Sequence, residues 1–272
     1  KEMKILVGIT GCTGSLGKTL LKTKSNINFR CFLGDVRDRK KIFEWVKKND
    51  FDAIIHLAAI VPIKEVNSDK KKAKQVNYSG TKNIVDAVLK KKISWFFFSS
   101  TSHVYKSVNK KISESAIKRP ISFYGKTKLL AENYIIKSFK RSNIRYCIGR
   151  IFSTSNKNQK KNYLVPDLKN KIKKTKDKIS FKNLNHYRDF ISMDEISKII
   201  LDLYKKRYQG IINIGRGEGI FLKDIAKLIC KKYNKKFAFK DSKKITYLVA
   251  NNEKLKKYFS FKKLTKLEKL IF

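Results

Sequence analysis

Tyr124 and Lys128 stand four residues apart in Tyr124-Gly125-Lys126-Thr127-Lys128, where a helix-patterned run from Phe123 to Lys140 begins. On a helix that spacing puts both side chains on one face, a turn from each other. A phenol ordinarily titrates near 10, so passing protons near neutral pH requires it to be held well below that, a stabilisation worth roughly 4 kcal/mol. An ammonium beside it in a partly dry site supplies such stabilisation. Upstream, an apolar run ends in hydroxyls, Phe98-Ser99-Ser100-Thr101-Ser102-His103-Val104-Tyr105. Hydroxyl, phenol and ammonium together are groups able to do acid/base work.

Near the other end of the chain, Thr10-Gly11-Cys12-Thr13-Gly14-Ser15-Leu16-Gly17 follows a short apolar run and opens a helical pattern. Gly11 permits a tight turn, Gly14 lets the backbone approach a pyrophosphate, and Gly17 lets helix and strand pack closely. The N-terminus of the following helix then faces the anion.

These groups need a scaffold. Strand-like runs cover Lys4–Thr10, Asn28–Leu33, Ala53–Ala59, Ile93–Ser99 and Ile144–Ile151, with helical patterns over Ser15–Lys24, Arg37–Lys48, a stretch from about Ala73 and Phe123–Lys140. Apolar strands alternating with helices predict a parallel sheet covered on both faces, a doubly wound α/β (Rossmann) domain. Beyond Arg150 the pattern changes. Residues 156–161 read as a polar loop, Ile191–Tyr204 as strand then helix, Ile211–Ile214 as a strand, Leu222–Lys232 as a helix and Leu264–Phe272 as a closing helix. The expected division is a nucleotide-binding domain over 1–150 and a smaller C-terminal substrate lobe over 151–272, with about 187–214 returning to the first sheet.

The 272 residues, 42% hydrophobic and 12% aromatic, suffice for a full core. Cys12, Cys31, Cys147 and Cys230 form no CxxC pair, so neither a metal site nor a disulfide is expected, and a reducing cytoplasm fits. No apolar run is long enough for a membrane span and no signal-peptide pattern opens the sequence. The net charge of +43 would suit nucleic acid. Its lysines are dispersed, however, in groups such as Lys70-Lys71-Lys72, Lys90-Lys91-Lys92 and Lys173-Lys174 that fall on polar helix faces, so a solvated surface is expected in place of a specific nucleic-acid footprint.

The TGxxGxxG turn at Gly11, Gly14 and Gly17, the YxxxK pair and the preceding Ser/Thr-rich strand end together resemble the extended short-chain dehydrogenase/reductases, in the group that acts on nucleotide sugars. Gly34-Asp35-Val36-Arg37-Asp38 resembles that family's adenine-contacting segment, His56-Leu57-Ala58-Ala59 its strand end beneath the cofactor ribose, and Asn77 with Gly80-Thr81 its helix signature. The resemblance implies an NAD(P)(H) site formed by Gly11, Thr13, Gly14, Ser15, Leu16, Gly17, Asp35, Val36, Leu57, Ala58, Ala59, Asn77, Ser99, Tyr124, Lys128 and Ile151. It implies Tyr124 as acid/base, Lys128 as holder of the nicotinamide ribose, and Thr101 as hydrogen-bond donor to the reacting oxygen, with Ser100 or Ser102 serving if the strand end is offset by one. Arg150-Ile151-Phe152-Ser153 resembles the strand beneath the nicotinamide, and Tyr187-Arg188-Asp189-Phe190-Ile191 the segment whose arginine meets the substrate's phosphates, so Ser153 and Arg188 are expected on the substrate side. His103 and His186 receive no role.

The sequence departs from the family by having a single strand-like stretch between the first helix and Asp35, where two are usual. No acidic residue stands where an NAD-selective member holds the 2′-hydroxyl, and Arg30 nearby tilts the expectation towards NADP(H). Dehydratases of the group resemble one another in an Asp-Glu pair after the catalytic Thr; Ser102-His103 stands there instead. Ser153 departs from the Asn usual in 4-epimerases. A reductase of a nucleotide-linked 4-keto-6-deoxyhexose therefore ranks first, a 4-epimerase second, and a catalytically idle RNA-binding protein of this fold third; a homodimer is compatible with each.

Overall fold

The computed structural model describes residues 5–155, 163–176, 178–240 and 245–261. The chain forms two compact units, one of residues 1–106, 117–151 and 193–212, the other of 107–116, 152–192 and 213–272.

The first unit runs β1 (Leu6–Thr10), α1 (Ser15–Lys22), β2 (Asn28–Phe32), α2 (Arg39–Lys47), β3 (Ala53–His56), α3 (Ile63–Ser68), α4 (Lys70–Lys74), a π-helical turn (Gln75–Gly80), α5 (Thr81–Lys91), β4 (Trp95–Thr101), a 3₁₀ turn (Ser102–Val104), α6 (Phe123–Phe139) and β5 (Arg145–Ile151). The second holds β6 (Ser153–Ser155), α7 (Leu164–Lys174), β7 (Lys178–Lys182), β8 (His186–Arg188) and β9 (Phe190–Ser192). The chain returns to the first unit with α8 (Met193–Lys205) and β10 (Gly210–Ile214), then completes the second with β11 (Ile220–Phe221), α9 (Leu222–Lys232), β12 (Lys236–Lys240), β13 (Thr246–Leu248) and α10 (Glu253–Lys256). The expected polar loop over 156–161 and the closing helix over 264–272 lie outside the described residues.

The central sheet has the order β10-β5-β4-β3-β1-β2, with β2, β3, β4 and β5 joined in parallel register around β1. Every residue of β3 is buried, as are Trp95, Phe96, Phe97 and Phe98 of β4, because helices cover both faces. Phe96 and Phe98 face a core shared with Ile84 and Val88 of α5 and Ala131 and Ile135 of α6, while Trp95 turns the other way onto Tyr204 of α8. Asp38 caps α2 by accepting from the Lys41 amide, and Ser122 caps α6 by accepting from Gly125.

The missing strand has a visible consequence. β2 pairs directly with β1, giving the order 2-1-3-4-5 with its reversal beside β1, and the glycine turn leaves the carboxyl end of β1 at that switch point. The segment expected as one helix from about Ala73 is helical but widens to π geometry at Gln75–Gly80, which turns Asn77 fully inward.

The cysteine expectation is corrected. Cys12 and Cys31 form a disulfide with their Cα atoms 6.0 Å apart, inside the range a bridge requires. The two are 19 residues apart in sequence and become neighbours because Cys12 follows β1 while Cys31 lies opposite Ile9 in the adjoining strand. Cys147 and Cys230 are buried and form no disulfide. The lysine groups at 70–72, 90–92 and 173–174 are all exposed. Among the described residues no helix is long and apolar enough to cross a membrane, and no group of His, Cys, Asp or Glu could hold a metal ion.

Candidate active site

The glycine turn is built by backbone contact. Gly11 has φ +80°, and a Cβ there would lie 2.6 Å from the Ala58 amide nitrogen, so this turn and the Leu57–Ala59 loop touch through main chain. A Cβ on Gly17 would strike the Gly11 carbonyl oxygen. Gly14 differs: an added Cβ would meet only that same oxygen, at 3.3 Å, and Gly14 is exposed with Thr13. Gly14 is also the N-cap of α1, whose first turn has no side-chain cap and no acidic residue. The amides of Ser15, Leu16 and Gly17 thus stand at a helix start that the chain itself leaves uncapped, a donor set that fits a pyrophosphate.

Behind the turn, His56 carries a directed chain of hydrogen bonds. Thr81 Oγ1 donates to the Asn77 carbonyl at 2.8 Å, so its contact with His56 Nε2 at 2.9 Å must be one it accepts. His56 Nδ1 is then the acceptor for Thr10 Oγ1 at 2.6 Å, and Thr10 Oγ1 in turn accepts from the Ala58 amide at 3.3 Å. That direction holds for the neutral imidazole, the form burial favours. Burial, with the charge of Lys128 adding to it, pulls His56 down to about 3.

Asn77 is fully buried and committed to protein: its Oδ1 accepts from Ile60 N and its Nδ2 donates to Ile60 O and Thr127 Oγ1. It therefore ties the loop after β3 to α6. Val36 is buried against Gly80, and its carbonyl accepts from Asn83 Nδ2. Asp35 is exposed and grips Arg37 through its side chain and amide, which holds its carboxyl below the usual range. Arg30 is exposed on the edge strand β2 opposite Gly8, two positions before the strand's carboxyl end at Phe32. A ligand at the switch point lies beyond that end.

The proton-handling groups converge from β4 and α6. Ser100 and Thr101 point to opposite faces of β4. Ser100 Oγ donates its proton to Glu132 Oε1 on α6 and so has none left for a substrate. Thr101, which is buried opposite Ile151 of β5, accepts from the His103 amide at 3.3 Å and retains its own hydroxyl proton. The geometry therefore favours Thr101 over Ser100. Ser99 is half-buried, and Ser102 is buried in the 3₁₀ turn.

Tyr124 opens the first turn of α6, 7% exposed, with the His103 ring edge-on at 6.1 Å. Gly125 beside it has no room for a Cβ, which would run into the His103 carbonyl oxygen. Lys128, one turn on, is only 2% exposed and lies over the Phe98 ring, 4.1 Å from its centroid. Burial drives Lys128 down to about 7, against an opposing pull from Glu132. Glu132, a further turn along, forms an ion pair with Arg150 at 2.7 Å in which both side chains are 1% exposed. Burial lowers the Arg150 guanidinium, but its hydrogen bonds and the Glu132 charge outweigh that and raise it overall.

Residues 7–215 match the NAD dependent epimerase/dehydratase family. The chain belongs to that family. It is 28% identical over 240 residues to the GDP-6-deoxy-D-talose 4-dehydrogenase of Aggregatibacter actinomycetemcomitans, covering 84% of this chain and 80% of that one. It is 26% identical over 300 residues to the UDP-glucose 4-epimerase of Mycoplasma genitalium, covering 100% and 88%. Its fold is that of the solved RMD from Pseudomonas aeruginosa complexed with NADPH, with TM-score 0.85, 19% identity and coverage of 98% and 96%.

In this epimerase/dehydratase family member the remaining two expected site residues lie in the second unit. Ser153 pairs with Phe190 across β6 and β9 and is half-buried. Arg188 donates from Nη1 to the Tyr187 carbonyl and to Thr246 Oγ1, at 2.7 and 2.9 Å. Burial lowers it to about 10. It does not pair with Asp189, whose carboxylate instead accepts the amides of Arg216, Gly217 and Ala250. Glu132 escaped the sequence reading, although its position four residues after Lys128 was visible; nothing in the sequence showed that Arg150 would neutralise it.

Proposed function

We propose that this chain is an NAD(P)-dependent oxidoreductase of nucleotide-diphosphate sugars that reduces a 4-keto-6-deoxyhexose. The observation carrying the proposal is Lys128: an ammonium held almost out of water, one turn from Tyr124, with no ion-pair partner among the described residues. Leaving a cation so placed is costly, and a polar ligand such as a ribose hydroxyl offsets the cost. The nicotinamide cofactor, when bound, supplies or takes the hydride. The uncapped start of α1 with Gly11, Thr13, Gly14, Ser15, Leu16 and Gly17 would hold its pyrophosphate, Asp35 and Val36 the adenine end, and Leu57–Ala59, Ser99 and Ile151 the remainder.

Thr101 donates its free hydroxyl proton to the substrate's carbonyl oxygen and polarises it. Tyr124 then delivers a proton to that oxygen as hydride reaches C4, which converts the carbonyl to a carbinol. Lys128 orients the ribose and favours the phenolate left behind. Arg188 and Ser153 serve the nucleotide sugar. The relative named as a 6-deoxy-D-talose 4-dehydrogenase supports this reading, since oxidation at C4 is the reverse of the step. The match along the whole chain to a 4-epimerase keeps a second reading, in which hydride returns to the same carbon from the opposite face.

The test is incubation with NADH or NADPH and a set of 4-keto-6-deoxy nucleotide sugars, alongside UDP-hexoses. Stoichiometric consumption of external hydride with a keto sugar is expected, and Thr101→Ala should slow it on the order of 10²–10³-fold. Interconversion of two epimers without net consumption would transfer the assignment to the epimerase. A parent protein that binds neither dinucleotide would remove both readings.

A further inference from the structure

The three residues assigned to proton transfer sit on segments that meet at one buried ionic centre. Arg150 on β5 donates from Nε and Nη2 to the Glu132 carboxylate, at 3.0 and 2.7 Å, and from Nη1 to the Tyr105 hydroxyl at 2.8 Å. Its guanidinium also lies 4.8 Å from the centroid of the Tyr105 ring. The same carboxylate accepts the Ser100 hydroxyl. Ser100 precedes Thr101, Tyr105 ends the 3₁₀ turn that Thr101 begins, and Glu132 follows Lys128 by one turn and Tyr124 by two.

We infer that Glu132 and Arg150 are positioning residues of the reaction: their buried pair locks the end of β4, the turn after it and the face of α6 into the one register in which Thr101, Tyr124 and Lys128 address the same oxygen. This rests on the roles proposed above for those three.

Two physical arguments favour positioning over simple stability. A buried ion pair is a poor stabiliser, since desolvation offsets most of its attraction and apolar replacements of similar volume are often tolerated. Its value lies in direction. The bidentate fork and the Ser100 and Tyr105 hydroxyls fix angles that packing alone does not. Among the described residues, the charged and titratable groups around Lys128 are Tyr124 and Glu132 on its own helix, His56 from β3, and Arg150 behind Glu132 on β5. Of these, Glu132 is the one that favours the ammonium.

The experiment replaces the pair together, Glu132→Met with Arg150→Met, so that neither charge is stranded, and makes Ser100→Ala separately. Steady-state kinetics, thermal melting and the ¹³Cε titration of Lys128 in cofactor-free protein, assigned with Lys128→Arg, are compared with the parent. The double variant should melt within a few degrees of the parent, lose kcat on the order of 10²-fold with KM within a few-fold, and move the Lys128 midpoint to lower pH. Ser100→Ala should lose about tenfold in kcat with KM unchanged. A folded double variant with parent kcat and an unmoved Lys128 midpoint overturns the inference. If the double variant fails to fold, Ser100→Ala decides, and parent kcat there overturns it equally. If the parent turns over no sugar nucleotide, the proposed function fails while the Lys128 titration still reads the effect of the pair.

Discussion

The buried face of α6 and the exposed edge at β2 handle charge in opposite ways. Lys128 and Glu132 on α6, and Arg150 facing them from β5, are nearly inaccessible, and each is defined by what surrounds it. At the β2 edge, Asp35 and Arg37 form a pair at 2.5 Å whose side chains are 47% and 40% exposed, and Arg30 beside them is exposed as well. Burial makes the first set costly to disturb and chemically tuned; water makes the second set replaceable. Chemistry is therefore expected to depend steeply on α6 and weakly on the edge.

The largest effect separating the regions should come from Arg150→Met alone. It leaves the Glu132 carboxylate buried without its cation, and urea melts should show a loss of about 3–5 kcal/mol. A loss below about 1 kcal/mol would mean that water reaches Glu132 and that the contrast is overstated.

Next in size is the Cys12–Cys31 bridge, which belongs to the edge region yet is covalent. Closing a loop between cysteines 19 apart stabilises by about 3 kcal/mol in the chain-entropy treatment. Melts with and without a thiol reductant should differ accordingly, and Cys31→Ser should melt like the reduced parent and ignore the reductant. Thiol titration of the native protein finding four reactive groups after denaturation without reductant would show that the bridge is not made.

Lys128→Met should act in the opposite direction, raising stability on the order of 2 kcal/mol at pH 7 while abolishing turnover, because it removes a buried cation. The pH dependence fixes the sign. Lys128 is held near 7 against an ordinary 10.5, so between those values the unfolded chain carries the extra proton and the parent gains stability as pH rises. The variant lacks that rise. Identical stability–pH curves for the two would place Lys128 in water.

The smallest effect belongs to the edge pair. Arg37→Ala should cost little stability, and less still in high salt. Arg30→Ala should leave stability unchanged; a change in the NADPH-to-NADH affinity ratio would show that Arg30 reaches the ribose despite its position.

This contrast also explains what could be read from the sequence. The alternation of apolar runs and helices was legible because burial on both sheet faces leaves nearly continuous hydrophobic strands, as in AIIH at Ala53–His56 and WFFF at Trp95–Phe98. Gly11 and Gly17 were legible as a tight backbone turn, and Tyr124 and Lys128 as neighbours one turn apart on α6, because local spacing sets both. That Asn77 ties the loop after β3 to α6 was not legible, because it depends on Ile60 and Thr127, residues 17 and 50 positions away. The disulfide was invisible because strand pairing, not spacing, brings Cys12 to Cys31. Glu132 and Arg150 were each visible as charges, whereas their pairing is a tertiary fact.

If Tyr124 is the proton donor in a hydride-transfer reaction, single-turnover oxidation of bound NAD(P)H by a 4-keto-6-deoxy nucleotide sugar should separate the parent from Tyr124→Phe. The parent should oxidise the cofactor in one phase, and the variant should be slower by about 10²–10⁴-fold while binding both ligands within a few-fold of the parent. A Tyr124→Phe protein that reacts at the parent rate would contradict the claim.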